Sequence, residues 1–196
     1  MIKTKKDLQY YIKEDAKQSG YQLPHTLKER IIEFLFPDYN HEFMVCLRKL
    51  EFFYNTQNGG GIINKLMYFF YNRKHSKLIH KTGIELNINV AESGLHLSHG
   101  KIVVSSIAKI GKNCKILSDV TIGGQGRYDR NGAPIIGNRV FIGSGAKIIG
   151  SITIADDVVI GANAVVTKDI IEANTTWAGN PAKKVSNNGS YHYLNR

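Results

Sequence analysis

Aliphatic residues recur at every sixth position through most of the second half of the chain. The series reads Val104, Ile110, Ile116 and Ile122, and then Ile136, Ile142, Ile148, Ile154, Ile160 and Val166. A helix repeats every 3.6 residues and a half-buried strand every two, so neither element accounts for a period of six. A fixed hexapeptide period is typical of a parallel β-helix, in which short strands stack one aliphatic side chain on the next. The alternative, a β-sandwich, predicts alternation with period two and irregular turns.

The first part of the chain has apolar residues at helical spacing instead. Thr4 with Asp7 and Thr26 with Glu29 have the spacing of capping boxes, and each pair predicts the start of a helix. Two further helices are predicted by the apolar stripes that follow. The pattern therefore changes from helices to short strands near residue 82.

This change predicts three parts. Residues 1–81 form an N-terminal helical domain, residues 82–185 form the β-helix and residues 186–196 form a polar C-terminal tail. The repeat is interrupted once, between Ile122 and Ile136, where a polar, glycine-rich segment predicts a loop over 123–135. Loops held on a rigid scaffold often carry function.

Composition favours a cytoplasmic protein. Hydrophobic residues make up 42% of the chain, yet no apolar run is long enough for a transmembrane segment. The basic N-terminus has no apolar stretch behind it, so a signal peptide is not expected. Cys46 and Cys114 lack the spacing of a metal site, and we expect both to be small buried side chains in a reducing compartment.

The chain carries 26 lysines and arginines against 16 acidic residues, for a net charge of +10. Much of the excess lies in 65–81, where basic residues alternate with Phe69, Phe70 and Tyr71. This segment is either a surface that meets phosphates or a membrane face, or the solvated side of an amphipathic helix, and the second interpretation is the simpler one. No nucleic-acid-binding motif accompanies the charge, so we expect no nucleic-acid partner.

Several segments of the repeat region resemble a known family. They are 94–104 (GLHLSHGKIVV), 118–124 (SDVTIGG), 136–138 (IGN), 142–150 (IGSGAKIIG) and 178–185 (AGNPAKKV). In this order, over about residues 82–185, they resemble serine acetyltransferases. The likeness is closest to the serine-acetyltransferase-like enzymes of bacterial surface-polysaccharide clusters.

The resemblance implies a mainly β fold, a left-handed parallel β-helix of hexapeptide repeats with an N-terminal α-helical domain. It also implies a homotrimer, which the helices could pair into a dimer of trimers, with active sites between subunits. The implied activity is an acetyl-CoA-dependent O-acetyltransferase acting on a small-molecule or glycan hydroxyl, with acetyl-CoA as co-substrate and no metal.

His99 is the candidate general base. The reaction removes a hydroxyl proton during attack on a thioester, and histidine titrates near the working pH. His99 matches the catalytic histidine of the resembled family, whereas His96 is expected to be structural or to face the acceptor. Glu85 is the candidate carboxylate that orients His99, Glu92 is its rival, and a backbone carbonyl could serve instead.

The acceptor site departs from the family. Serine acetyltransferases have an aspartate where this chain has Ser98, and an arginine-histidine pair where it has Gly132-Ala133. An amino-acid acceptor needs a cation for its carboxylate and an anion for its ammonium group. Arg130 could replace the missing arginine if the loop changes register. We therefore predict a sugar hydroxyl of a surface polysaccharide as acceptor, with L-serine, the acceptor of cysteine biosynthesis, as the alternative.

The donor site matches better. Related hexapeptide acetyltransferases line the CoA groove with residues at positions that correspond here to Gly124, Ser144, Gly145, Ala162, Thr167, Lys168, Pro181 and Lys183. The glycines would let pantetheine lie against backbone, and the lysines would contact the phosphates.

Three other classes of protein fit the sequence less well. A γ-type carbonic anhydrase needs three zinc-binding histidines, and the coils hold only His96 and His99. A nucleotidyltransferase needs a further domain. A non-catalytic structural β-helix is the remote alternative, but it has no use for a matched histidine and a projecting loop.

Overall fold

The computed structural model describes residues 1–22, 24, 26–57, 59–124, 126 and 132–194. In these ranges the α-helices are α1 (Lys5–Ser19), α2 (Leu27–Leu35), α3 (Tyr39–Thr56) and α4 (Gly61–Thr82), and a 3₁₀ helix spans Ser190–Tyr193. The strands are β1 (Ile84–Glu85), β2 (His96–Leu97), β3 (Ile102–Val104), β4 (Lys109–Ile110), β5 (Lys115–Ile116), β6 (Val120–Gly123), β7 (Ile135–Ile136), β8 (Phe141–Ile142), β9 (Lys147–Ile149), β10 (Thr153–Ile154), β11 (Val159–Ile160), β12 (Val165–Val166), β13 (Thr176–Ala178) and β14 (Lys183–Ser186).

Both predicted capping boxes form. The Asp7 amide donates to the Thr4 hydroxyl over 3.1 Å, and the Asp7 carboxylate accepts from the Thr4 amide over 2.8 Å. Thr26 and Glu29 repeat the arrangement at the start of α2. Each box satisfies two of the backbone donors that a helix start leaves free, which is why α1 and α2 begin where they do.

The strands form three sheets that wind into a prism, and this confirms the predicted parallel β-helix. The first face has the order β1-β3-β6-β9-β12, the second β4, β7 and β10, and the third β2-β5-β8-β11-β13-β14. Among the described residues, every strand pairing is parallel except that of β13 with β14. One coil takes three hexapeptides, because each contributes one strand to one face.

The aliphatic series fills the inside of the prism. Ile116 pairs with Ile142 on the third face, and Ile122 pairs with Ile148 on the first. All four side chains are fully buried. The period of six residues is thus the distance along the chain from one inward-pointing side chain to the next, on the following face. Each of these side chains stacks on the equivalent aliphatic residue of the next coil. Cys46 and Cys114 are buried as predicted, and burial raises the pKa of the Cys46 thiol to about 11.

The helices attach to the start of the prism through the buried Arg48. Its guanidinium donates to Asp15 over 2.7 Å and to Glu51 over 3.0 Å, and it also reaches the carbonyls of Ala91 and Glu92 over 2.8 Å. The Asp15 carboxylate in turn accepts from two backbone amides, of residues 94 and 95. Since these partners come from α1, α3 and the segment before β2, the network fixes the helices against the coil that carries the candidate histidines.

The tail folds back on the third face, where the Tyr193 ring lies 4.6 Å from that of Phe141. Among the described residues, no helix combines the length and apolarity needed to cross a membrane.

Candidate functional site

His99 lies on the edge where the third face turns into the first. The turn 98–101 joins β2 to β3, and it contains Gly100 in a left-handed conformation with φ of 102°. A Cβ on Gly100 would lie 3.0 Å from the Cβ of Ser118 in the next coil. A glycine is therefore required there, both for the turn and for the close approach of the coils. The imidazole of His99 is exposed.

A cavity of about 380 Å³ opens beside this turn. One wall is β2 and its turn, with His96, Ser98 and His99, and the opposite wall comes from α1 and the start of α3. The structure therefore brings together three of the predicted site residues at one concave surface, the form in which ligand sites usually occur.

The helical wall of the cavity contributes polar groups that the sequence reasoning missed. Asp38 is the N-cap of α3 and accepts from the amides of Asn40 and His41 over 2.9 and 3.1 Å. The His41 ring stacks on Tyr21 with 3.7 Å between centroids. Pro37-Asp38 ahead of an apolar stripe is a helix-start signal, and it could have placed Asp38 at an exposed helix end. It could not have placed that end opposite His99.

His96 and Ser98 are held by the chain around them. The His96 Nδ1 atom lies 3.3 Å from the Gln18 carbonyl oxygen, and the Ser98 amide donates to the Ile116 carbonyl over 2.9 Å. Burial, and then the nearby Lys115 charge, lower the pKa of His96 below its usual range. A neutral, half-buried imidazole suits the wall of a binding site, so an acceptor-facing His96 stays a prediction.

The two candidate carboxylates occupy different surroundings. Glu85 is exposed on the first face, where it pairs with Val103 in β3. Within the described part of the chain, no hydrogen bond joins Glu85 to His99, so their pairing stays a prediction. Glu92 accepts a short hydrogen bond from the Tyr11 hydroxyl and lies 3.8 Å from the Met1 amino group. Because these partners engage Glu92, it is the less suitable of the two.

Four predicted donor-site residues lie on the same edge as His99. This His99 edge consists of the turns 98–101, 117–119, 143–146 and 161–164, and the Asn180-Pro181 segment continues it. Backbone hydrogen bonds connect its turns, from Gly145 to the Ser118 carbonyl over 2.9 Å and from Asn163 to the Ser144 carbonyl over 2.8 Å. The donor-site residues on the edge are Ser144, Gly145, Ala162 and Pro181.

Gly145 is constrained on this edge by the next coil, and its contact with the donor stays a prediction. Its φ of 77° is left-handed, and an added Cβ would lie 2.1 Å from Asn163 Oδ1. A glycine is therefore required at this turn, because the Asn163 side chain of the next coil occupies the space that a Cβ would need.

The other donor-site residues lie elsewhere. Gly124 follows β6, and Thr167 and Lys168 follow β12, so all three lie at the far end of the first face, on the edge that carries the loop. Lys183 is exposed on β14. A single chain therefore divides these residues between two edges. Arg130 lies outside the described residues.

Comparisons with known proteins agree with this architecture. A family model described as bacterial transferase hexapeptide (six repeats) matches residues 133–168. A serine acetyltransferase of Helicobacter pylori is 38% identical over 127 residues, which is 63% of this chain and 74% of that protein.

Two solved structures are similar over almost the whole chain. Serine acetyltransferase from Brucella abortus in complex with coenzyme A has a TM-score of 0.63 and 26% identity, covering 94% of this chain and 68% of that one. Soybean serine acetyltransferase complexed with serine has a TM-score of 0.69 and 25% identity, covering 92% and 70%. Together with the repeat and the three faces of the prism, these likenesses show that the chain is an acyltransferase with a left-handed β-helix, and that it belongs to the serine acetyltransferase family of hexapeptide-repeat transferases.

Proposed function

We propose that this protein transfers the acetyl group of acetyl-CoA to the hydroxyl of L-serine, with His99 as general base. The observation that carries the proposal is the position of His99. It lies where the cavity beside β2 meets the edge that bears Ser144, Gly145, Ala162 and Pro181. An acceptor in the cavity and a thioester along the edge would meet at this imidazole.

The chemistry needs one proton carrier. His99 takes the proton of the acceptor hydroxyl as its oxygen attacks the thioester carbonyl, and a tetrahedral oxyanion forms. When this intermediate collapses, the carbon–sulfur bond breaks, and the proton held by His99 passes to the departing thiolate. The products are the O-acetyl ester and free CoA. An exposed imidazole at a cavity mouth can accept and return a proton in this way.

A homotrimer would complete the donor site. The residues proposed to contact CoA lie on two edges of one subunit, and the flat faces of the prism can pair with those of neighbouring subunits. In a side-by-side trimer, the loop edge of one subunit with Gly124, Thr167 and Lys168 would face the His99 edge of the next. Lys168 and Lys183 would then supply positive charge for the CoA phosphates. A dimer of trimers and a cytoplasmic location, where acetyl-CoA is available, complete the proposal.

L-serine is favoured as acceptor by the relatives, and the comparisons give no support to the surface-polysaccharide acceptor that the sequence analysis preferred. The Helicobacter pylori relative is named a serine acetyltransferase, and the similar soybean structure is a serine acetyltransferase complexed with serine. The cavity supports the same choice, because the exposed Asp38 carboxylate on its helical wall offers a negative charge to an ammonium group. Asp38 could thus supply the negative charge that an amino-acid acceptor needs and that Ser98 lacks.

A sugar hydroxyl remains a second candidate because of one specific observation. At the position before His99 the chain has the uncharged Ser98, and at the end of the loop it has Gly132-Ala133. Neutral groups at these positions suit an acceptor without charges.

The test is the release of CoA thiol from acetyl-CoA with L-serine as acceptor, with the product identified by mass spectrometry. The proposal predicts serine-dependent release and O-acetylserine. Release at the rate of background hydrolysis with L-serine, but stimulated by a nucleotide sugar or glycan, would replace it by the second candidate. If neither L-serine nor a sugar stimulates the release of CoA, both proposed acceptors are wrong.

A further inference from the structure

Helix α4 has an outer side that no described residue covers. The exposed apolar residues along it are Ile62, Ile63, Leu66, Phe69 and Phe70, each with 57% or more of its surface accessible. Leu66 lies three and four residues after Ile63 and Ile62, and Phe69 and Phe70 lie three and four residues after Leu66, so all five lie on one side of the helix. Large apolar side chains that cluster on a surface usually mark an interaction site.

The same side continues as a basic surface. Arg73 lies seven residues after Leu66, Lys77 lies seven after Phe70, and both are exposed. No described residue forms an ion pair with Arg73 or Lys77. Two other lysines of α4 do have partners. The Lys74 ammonium forms an ion pair with Glu42 at 2.7 Å, and the Lys81 ammonium lies 3.4 Å from the centroid of the Tyr39 ring. The residues of 61–82 include no aspartate or glutamate.

The inner side of α4 already has its partner. Tyr71 stacks on Phe53 of α3 with 5.5 Å between ring centroids, and His75 and Leu78 are buried. The outer residues are therefore not part of the core that the described residues form, and they are available to a binding partner. We call Ile62, Ile63, Leu66, Phe69, Phe70, Arg73 and Lys77 the α4 outer face.

We propose that the α4 outer face docks onto an anionic membrane surface, independently of which acceptor the enzyme uses. Its apolar half would enter the boundary between headgroups and acyl chains, and its basic half would contact the headgroup phosphates. Surface-lying helices bind membranes through this combination of apolar area and positive charge. The net charge of +10 adds a long-range attraction to the same surface.

Two other partners explain fewer of the observations. A nucleic acid would neutralise Arg73 and Lys77 but would leave Phe69 and Phe70 exposed. A second copy of the same face would cover the aromatic rings but would bring no acidic residue to the cations, since α4 has none. Anionic lipid accounts for both halves of the face.

The experiment is co-sedimentation with vesicles made of equal parts phosphatidylcholine and phosphatidylglycerol, beside vesicles of phosphatidylcholine alone. The wild-type protein should pellet with the anionic vesicles only. Arg73→Gln/Lys77→Gln should weaken this binding about thirtyfold, as expected for the loss of two basic residues near an anionic surface. Phe69→Ser/Phe70→Ser should weaken it at least about tenfold, because two rings no longer enter the lipid.

Matched controls alter other exposed residues of the same kinds. Lys5→Gln/Lys6→Gln removes two charges from α1, and Leu27→Ser/Leu35→Ser removes two apolar side chains from α2. Both controls should bind like the wild type, and circular dichroism should show every variant folded.

Three results would overturn the proposal. The first is that the wild-type protein stays in the supernatant with anionic vesicles. The second is that the α4 variants pellet with these vesicles to the same extent as the controls. The third is that light scattering gives a lower molar mass for Phe69→Ser/Phe70→Ser than for the wild type. The last result would assign the face to a second copy of the chain.

Discussion

The hydroxyl oxygens of Ser118 and Ser144 lie 3.4 Å apart, one coil above the other on the His99 edge. Ser118 is also the residue that Gly100, next to His99, approaches most closely. A row of small side chains therefore begins beside the candidate base and continues along successive coils. An extended ligand bound along this row would bring one end to His99.

Enlarging Ser144 should block that row. In Ser144→Tyr the phenol would occupy the space above the edge, and the KM for acetyl-CoA should rise about tenfold, which corresponds to about 1.4 kcal/mol of lost binding. The KM for the acceptor should stay unchanged. Lys112→Tyr is the control, since Lys112 is exposed on the edge between the second and third faces. Equal KM values for acetyl-CoA in both variants would show that the donor does not follow the His99 edge.

The Glu85 carboxylate is predicted to orient the His99 imidazole in the assembled enzyme. Glu85→Gln keeps the size of the side chain but removes its charge, and kcat should fall at least about tenfold because the carboxylate no longer orients the imidazole. Glu92→Gln should leave kcat unchanged, since Glu92 is engaged by Tyr11 and Met1. Steady-state kinetics of both variants decide the matter. An unchanged kcat in Glu85→Gln would point to a backbone carbonyl as the orienting group.

The sequence predicted the parts of the molecule that depend on local pattern. Ile116 and Ile142 stack because each repeat puts its aliphatic residue in the same place, and Thr4 finds Asp7 because the two are three residues apart. The helical wall of the cavity depends instead on docking across the chain. Asp38 lies 61 positions before His99 in the sequence, and only the way α3 packs on the first coil brings both to one cavity.

The Arg48 network could not be predicted for the same reason. Arg48 is close in sequence to Glu51, but its other side-chain partner, Asp15, comes from a different helix. From the sequence alone, a single arginine next to an apolar stripe is predicted to be exposed to solvent, because its distant partners are not known.

Removing Arg48 should destabilise the fold strongly. Arg48→Met would leave the buried carboxylates of Asp15 and Glu51 without their cation, and the free energy of unfolding should fall by about 3–5 kcal/mol. Arg139→Met is the comparison, because Arg139 forms a partly exposed pair with Asp157 at 2.7 Å and its loss should cost about 1 kcal/mol or less. Denaturant unfolding measures both. Similar losses for the two variants would contradict the role assigned to the Arg48 network.

Acid should destabilise the protein partly through His75. Burial lowers the pKa of His75 below its usual value of 6.5, and its Nε2 atom has no hydrogen-bond partner among the described residues. The unfolded chain therefore binds the proton more tightly, so this contribution to stability is present above about pH 6.5 and is lost as the pH falls below it.

The measurement is the free energy of unfolding at about pH 7.5 and about pH 5. It should fall between the two in the wild type, and by less in His75→Gln. His96, whose pKa is also lowered, contributes in the same direction in both proteins, so the difference between them isolates His75. An equal fall in both would show that His75 has no part in it.

The most direct test of the central claim compares His99→Ala with His96→Ala in acetyl transfer to the acceptor that supports CoA release. The two histidines line one cavity, three residues apart, but only His99 is exposed at the turn. If His99 is the general base, His99→Ala should lower kcat by about 10²- to 10⁴-fold while acetyl-CoA binding by calorimetry stays unchanged, and His96→Ala should affect mainly the KM of the acceptor. A His99→Ala enzyme with wild-type kcat would contradict the account.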